Sequence, residues 1–155
     1  MSKHTKTKIA IACQGGGSHT AFTAGVLKGL LEEWNDEYEL VGISGTSGGA
    51  FNAALAWYGL VTADENTAIE LLEGFWNDLK ADGIGDQFTN NWVVGLSRIE
   101  SSGFPIPQVS PYQIPGAESG KERIKAALER HIDFDEIPEL CTREVPELVI
   151  GTVNI

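Results

Sequence analysis

At 155 residues the chain has the length of one ordinary domain, and its 42% apolar and 21% charged residues exclude a disordered tail or a fibrous repeat. Lys and Arg number 11 against 22 Asp and Glu, a net charge of −11, which argues against binding driven by phosphate neutralisation, and no nucleic-acid partner is expected. Cys13 and Cys141 form neither a disulfide framework nor a metal-ligand spacing, which fits a reducing compartment and implies no metal. The basic start, Met1 to Lys8, is followed by an apolar run too short for a signal-peptide core. No stretch approaches the roughly 18 uninterrupted apolar residues of a membrane span. These features predict a soluble, cytoplasmic protein whose membrane contact, if any, is peripheral.

Lys8 to Cys13 alternates Ile with Ala and is cut off by a Gly-rich turn, the pattern of a short buried strand. From Ala21 to Trp34 the period changes, and Leu27, Leu30, Leu31 and Trp34 fall on one face of a helix that Asn35 and Asp36 end. Leu40, Val41 and Ile43 form a second strand, and Ser44 to Gly49 an abrupt corner. A helix through Ala50, Ala53, Ala54 and Trp57 follows and is expected to stop near Gly59.

Asp64 is the expected N-cap of a third helix, with Ala68, Leu72, Phe75, Trp76 and Leu79 on its inner stripe. Residues 81–120 are rich in Gly, Pro, Ser and Asn without a sustained period and are read as a covering loop. Ser119 and Glu122 form a capping box for a helix to about Arg130, with Ile124, Ala127 and Leu128 inward; Pro138 and Pro146 mark turns. Leu148 to Ile155 is strand-like, and as nothing follows to cover its second face, a continuation is expected. Strand, Gly turn and helix, repeated, predict an α/β fold: a three-layer α/β/α sandwich with a mainly parallel sheet.

Gly45-Thr46-Ser47-Gly48-Gly49 spells Gly-x-Ser-x-Gly between a predicted strand and a predicted helix. That is where a nucleophile elbow lifts a Ser Oγ above a sheet edge, although an ordinary Gly-rich turn has the same string. Gly15, Gly16 and Gly17 close the first strand and leave backbone N–H groups unobstructed for a developing negative charge. The same turn, read as a dinucleotide cradle, lacks its third Gly, since Thr20 stands there, and the P-loop Lys is missing too. Both corners lie at the carboxyl edge of the expected sheet, where α/β proteins place their sites.

Gln14-Gly15-Gly16-Gly17-Ser18-His19 with Gly25-Val26-Leu27, and Gly42 to Ala53 around Ser47, resemble the oxyanion segment and nucleophile elbow of the patatin-like phospholipases. Ser110 to Gln113 and Ile132 to Phe134 resemble a bacterial branch of that family. The resemblance spans nearly the whole chain, which reads as the N-terminal portion of a single domain of that family. It implies a Ser-Asp dyad acyl hydrolase of lipid or small esters without a cofactor. Ser47 is then the nucleophile, Gly15, Gly16 and Gly17 the oxyanion hole, and Gly45, Thr46, Gly48 and Gly49 the elbow.

Most members carry a basic residue and then Gly after the Gly-rich run; this chain has His19 and Thr20, and His19 is a candidate headgroup contact. The family's dyad Asp, in an Asp-Gly motif well after the strand matching Leu148 to Ile155, is not among these residues, and Asp82-Gly83 reads as a turn. A following segment or a second chain is expected to supply it. The rival expectation is a catalytically inactive fragment or lipid-binding module of the same fold. His4 in a frayed terminus and His131 at a helix end read as non-catalytic.

Overall fold

The computed structural model describes residues 5–79 and 117–152. The expected loop lies outside them as far as residue 116, as do His4, Asp82 and Ser110 to Gln113. Contacts divide the chain into two compact units, Met1–Asp78 with Ala127–Ile155, and Leu79–Ala126. The first contains the sheet and the candidate site.

Strands β1 (Thr7–Cys13), β2 (Tyr38–Thr46) and β3 (Glu147–Gly151) form a three-stranded sheet in the order β1-β2-β3. Both pairings are parallel, with Ile11 opposite Ile43 and Cys13 opposite Gly45 on one side of β2, and Gly45 opposite Ile150 on the other. A register shift after Ile9 leaves Val41 bulged. Helices flank this sheet, giving the α/β architecture that the alternating pattern predicts.

Between β1 and β2 run a 3-10 turn (Gly17–Thr20) and α1 (Ala21–Glu32); α2 (Gly48–Thr62) and α3 (Glu65–Asp78) follow β2. Helix α4 (Ala117–His131) and a short α5 (Ile137–Leu140) precede β3. Helix α2 packs on all three strands and on α3. Its Ala53, Leu55 and Ala56 are fully buried, as are Ala68 and Phe75 of α3. Each fully buried Leu or Phe stabilises the fold by about 1.5–3 kcal/mol. Trp57 Nε1 donates to Pro146 O at 2.6 Å, which fastens α2 to the approach of β3.

Several boundaries differ from the sequence expectation. Helix α1 ends at Glu32 because Asn35 Oδ1 accepts the Glu37 N–H at 2.9 Å, a turn that competes with the helix. Its inner residues are Ala24, Leu27 and Leu31, while Leu30 is exposed and Trp34 lies beyond the helix. Strand β2 continues through Ser44, Gly45 and Thr46, since Gly45 and Thr46 pair with β3; the expected six-residue corner shrinks to Ser47. Helix α2 passes Gly59, which lies so close to Ala68 that no side chain fits there; the glycine serves packing and does not end the helix.

Asp64 caps α3 as expected, its Oδ1 accepting the Thr67 N–H at 2.8 Å, and Ala68, Leu72 and Phe75 face inward; the helix ends before Leu79. Ser119 is not the cap of α4, which starts at Ala117: Ala117 and Glu118 are strong helix formers and carry the helix upstream. Pro138 sits in the first turn of α5, where a missing N–H costs nothing.

Candidate active site

Ser47 sits alone between the last residue of β2 and the first of α2. Its φ of 54° and ψ of −131° make it the only non-glycine with positive φ among the described residues. Such a conformation costs about 1–3 kcal/mol and persists only where the surroundings impose it. Here β2 is paired on both edges, and the α2 residues behind Ser47, Gly48 to Ala50, are buried. Ser47 itself is exposed. The N-terminus of α2 gives its surroundings a positive potential.

The glycines around it are required by close approach. Gly45 lies against the Gly49 carbonyl and Ala50 N, and a methyl group on Gly49 would sit 2.5 Å from Gln14 O and overlap Cys13 O. On the other side, a methyl group on Gly15 would lie 2.8 Å from Thr46 O and 3.3 Å from Ser47 Cβ. The β1 turn and the β2 corner therefore touch, Gly15 directly beside Ser47.

Gly16 O accepts the His19 N–H at 3.2 Å, and Gly17, at φ 57°, opens the 3-10 turn. Among the described residues neither Gly16 N–H nor Gly17 N–H is engaged in a backbone hydrogen bond. His19 is exposed on that turn, and Thr46 is exposed at the end of β2. An open hollow of about 330 Å³ at the carboxyl ends of the strands is lined by Ala12, Gln14, Ser44, Thr46 and Val149 among others. Burial raises the pKa of Cys13, which also lines it, and keeps this thiol protonated.

No acid or base among the described residues hydrogen-bonds Ser47 Oγ. His131 Nε2 lies 2.9 Å from Asp78 Oδ2, and its ring faces Gly74, so it joins α4 to α3. Among the described residues no group of three or more His, Cys, Asp or Glu side chains could hold a metal ion. None of the described helices is long and apolar enough to cross a membrane.

Sequence reasoning missed a buried polar chain behind the turn. Asn52, fully buried in α2, donates from Nδ2 to Thr20 O and accepts from Trp76 Nε1 on α3, each at 2.7 Å. Thr20 Oγ1 in turn donates to Gly17 O at 2.6 Å. The available signal was Asn52 itself, a lone amide within the small and apolar run Ala50 to Trp57.

A strand, a one-residue corner and a helix lie with a Gly-rich turn packed against the corner. The profile of the patatin-like phospholipases matches residues 11–145. The chain belongs to this family. Neither the curated proteins nor the solved structures gave a match. Membership in a phospholipase family points to lipid acyl hydrolase activity and to lipid substrates.

Proposed function

We propose that Ser47 is the nucleophile of a Ser-Asp acyl hydrolase acting on lipid or small esters. Its Oγ attacks the ester carbonyl as an Asp takes its proton, the alcohol leaves, and water releases the acyl group from the serine. The observation that carries this reading is the exposed, strained Ser47 between β2 and α2 with Gly15 against it. Backbone N–H groups of Gly15, Gly16 and Gly17 stabilise the oxyanion, and losing one such donor costs about 100- to 1000-fold in turnover. Gly45, Thr46, Gly48 and Gly49 shape the elbow, and His19 steers an anionic headgroup.

The hollow beside Thr46 and Gln14 has the volume of a small-ligand site. Peripheral membrane contact is supported by Phe22, Val26 and Leu30, which recur every four residues on α1 and are 79%, 53% and 39% exposed. The free thiols of Cys13 and Cys141 fit a cytoplasmic location.

The dyad Asp is proposed to come from a segment after β3 or from a second chain. A second reading, a non-catalytic lipid-binding module of the same fold, is favoured by one observation, the lack of a described base at Ser47 Oγ. A fluorophosphonate probe distinguishes them. With the Asp-bearing segment present, Ser47 is labelled and Ser47→Ala abolishes the signal; labelling that persists in the variant sinks the assignment. Residues 1–155 alone should turn over a nitrophenyl ester only slowly. Robust turnover that vanishes in Ser47→Ala would place a sufficient base within these residues.

A further inference from the structure

We propose that Thr20 is a positioning residue, holding the Gly16-Gly17 turn at its working distance from Ser47 as the inner end of the Trp76-Asn52-Thr20 chain. The inference rests on the acyl-transfer reading of Ser47, but its geometry stands independently. Thr20 occupies the N-cap position of α1, where a hydroxyl ordinarily accepts a backbone N–H of the helix, and it makes no such bond. Its Oγ1 instead reaches back to Gly17 O at 2.6 Å. Thr20 is 2% exposed, and the bond is part-buried, reaching from the core to the exposed Gly17.

Two restraints then act on consecutive peptide planes. The His19 N–H holds Gly16 O at 3.2 Å, and Thr20 Oγ1 holds Gly17 O. Because a peptide unit is planar, fixing its carbonyl also fixes the direction of the N–H across it. Gly17 N–H shares its plane with Gly16 O, and Ser18 N–H shares its plane with Gly17 O, the carbonyl that Thr20 holds, so Thr20 acts on Gly17 through its ψ and on the next plane. A glycine at φ 57° has no side chain to limit its rotation, so its conformation is held by the hydrogen bonds that the later residues of the turn, His19 and Thr20, return to it and to Gly16.

Thr20 also sets the spacing to the other corner. A methyl group on Gly48 would lie 3.2 Å from Thr20 Cβ and 2.8 Å from Gly17 O, so the Thr20 side chain and the Gly17 carbonyl both rest on the residue after Ser47. Thr20 is anchored in turn: its carbonyl accepts from Asn52 Nδ2, and the Asn52 amide is oriented by Trp76 Nε1. Asn52 is fully buried and has both ends of its amide paired, so it cannot flip without losing both bonds. Thr20 and Asn52 are buried and do not meet substrate; their work is done through Gly17 and Gly48.

The test compares Thr20→Val, which keeps the shape and loses the hydroxyl, with Thr20→Ser, which keeps the hydroxyl, and with Trp76→Phe. Backbone ¹⁵N order parameters of Gly17 and Ser18 are the first readout. In the unmodified protein and in Thr20→Ser they should match rigid backbone, about 0.85, and in Thr20→Val fall below about 0.6, while α2 is unchanged. Trp76→Phe should lower them as well, and it decides the matter if Thr20→Val does not fold. The second readout is fluorophosphonate inactivation of the protein with its dyad assembled. The maximal inactivation rate should fall about tenfold in Thr20→Val, the scale of one hydrogen bond, with half-saturation unchanged and Thr20→Ser restoring it. Unchanged order parameters in a folded Thr20→Val, or equal loosening throughout α2, would overturn the proposal. If Ser47 is never labelled, the acyl-transfer reading fails, and the order parameters still decide whether Thr20 holds the turn.

Discussion

Between β2 and α2 the chain reverses on the single residue Ser47, whereas between β1 and α1 it uses Gln14, Gly15, Gly16 and then a full 3-10 turn. The β2 corner is rigid by enclosure. Its glycines are pressed against backbone atoms of the neighbouring turn, and the strain at Ser47 is held by a doubly paired strand and a buried helix. The β1 turn has open space around Gly17, no atom lying within 4 Å of where a side chain would begin, and its shape depends on hydrogen bonds reaching in from Thr20 and Asn52. One corner is set by steric enclosure and the other by a chain of hydrogen bonds that runs from Thr20 through Asn52 to Trp76, 56 positions away. A nucleophile needs a fixed position; donors to a developing charge need a fixed direction. The two constructions match those needs.

Substituting one glycine from each corner separates the two. Gly49→Ala places a methyl group on Cys13 O and Gln14 O, backbone atoms that cannot yield without parting β1 from α2. The expected loss is about 3 kcal/mol, the upper end for overpacking, read by denaturant unfolding, and both corners should fail together. Retention of full stability would mean that the corners are not in contact. Gly17→Ala meets no neighbour and costs only the left-handed conformation at φ 57°, about 1–2 kcal/mol. Its effect on Ser47 labelling should exceed its effect on stability, because the turn can relax to an ordinary φ while the sheet remains folded.

The same contrast explains what could be read in advance. The β2 corner was legible because its chemistry is contiguous: Gly45 to Gly49 stand in one string between two periodic segments, so strand, corner and helix are visible together. Even there the strand was read three residues short, since Ser44-Gly45-Thr46 looks like a turn until pairing with β3 makes it a strand. Gly15 to Gly17 were legible as a turn, but Thr20 appeared only as a departure from the family's Gly. Its role depends on Asn52 and Trp76, which are 32 and 56 positions further along the chain, and no periodicity reports such a contact. Helix ends at Glu32 and Thr62 were missed for related reasons, a side-chain turn at Asn35 in one case and tight packing on Ala68 in the other.

The smallest expected effect separates the corners from the helices behind them by charge. Trp76, Asn52 and Thr20 carry no titratable group, while α3 and α4 are tied by Asp78, which accepts from Arg130 Nε and pairs with His131 Nε2, each at 2.9 Å. The hydrogen bonds from Arg130 and then His131 lower the Asp78 pKa below the ordinary aspartate value of 3.8. A carboxylate with a depressed folded pKa stabilises the fold fully above its unfolded value, and that stabilisation drains away as pH falls through the folded one. Asp78→Asn should therefore lower Tm slightly near neutral pH, the tie being largely exposed and screened, and the gap to the unmodified protein should close in acid. As pH falls through the depressed titration of Asp78, the Gly17 order parameter should stay flat while the Asp78 contribution drains away. If Gly17 instead loosens in step with the closing gap, the hydrogen-bonded turn draws its rigidity from the α3–α4 ion pair, and the division between a sterically enclosed corner and an uncharged, hydrogen-bonded one does not hold.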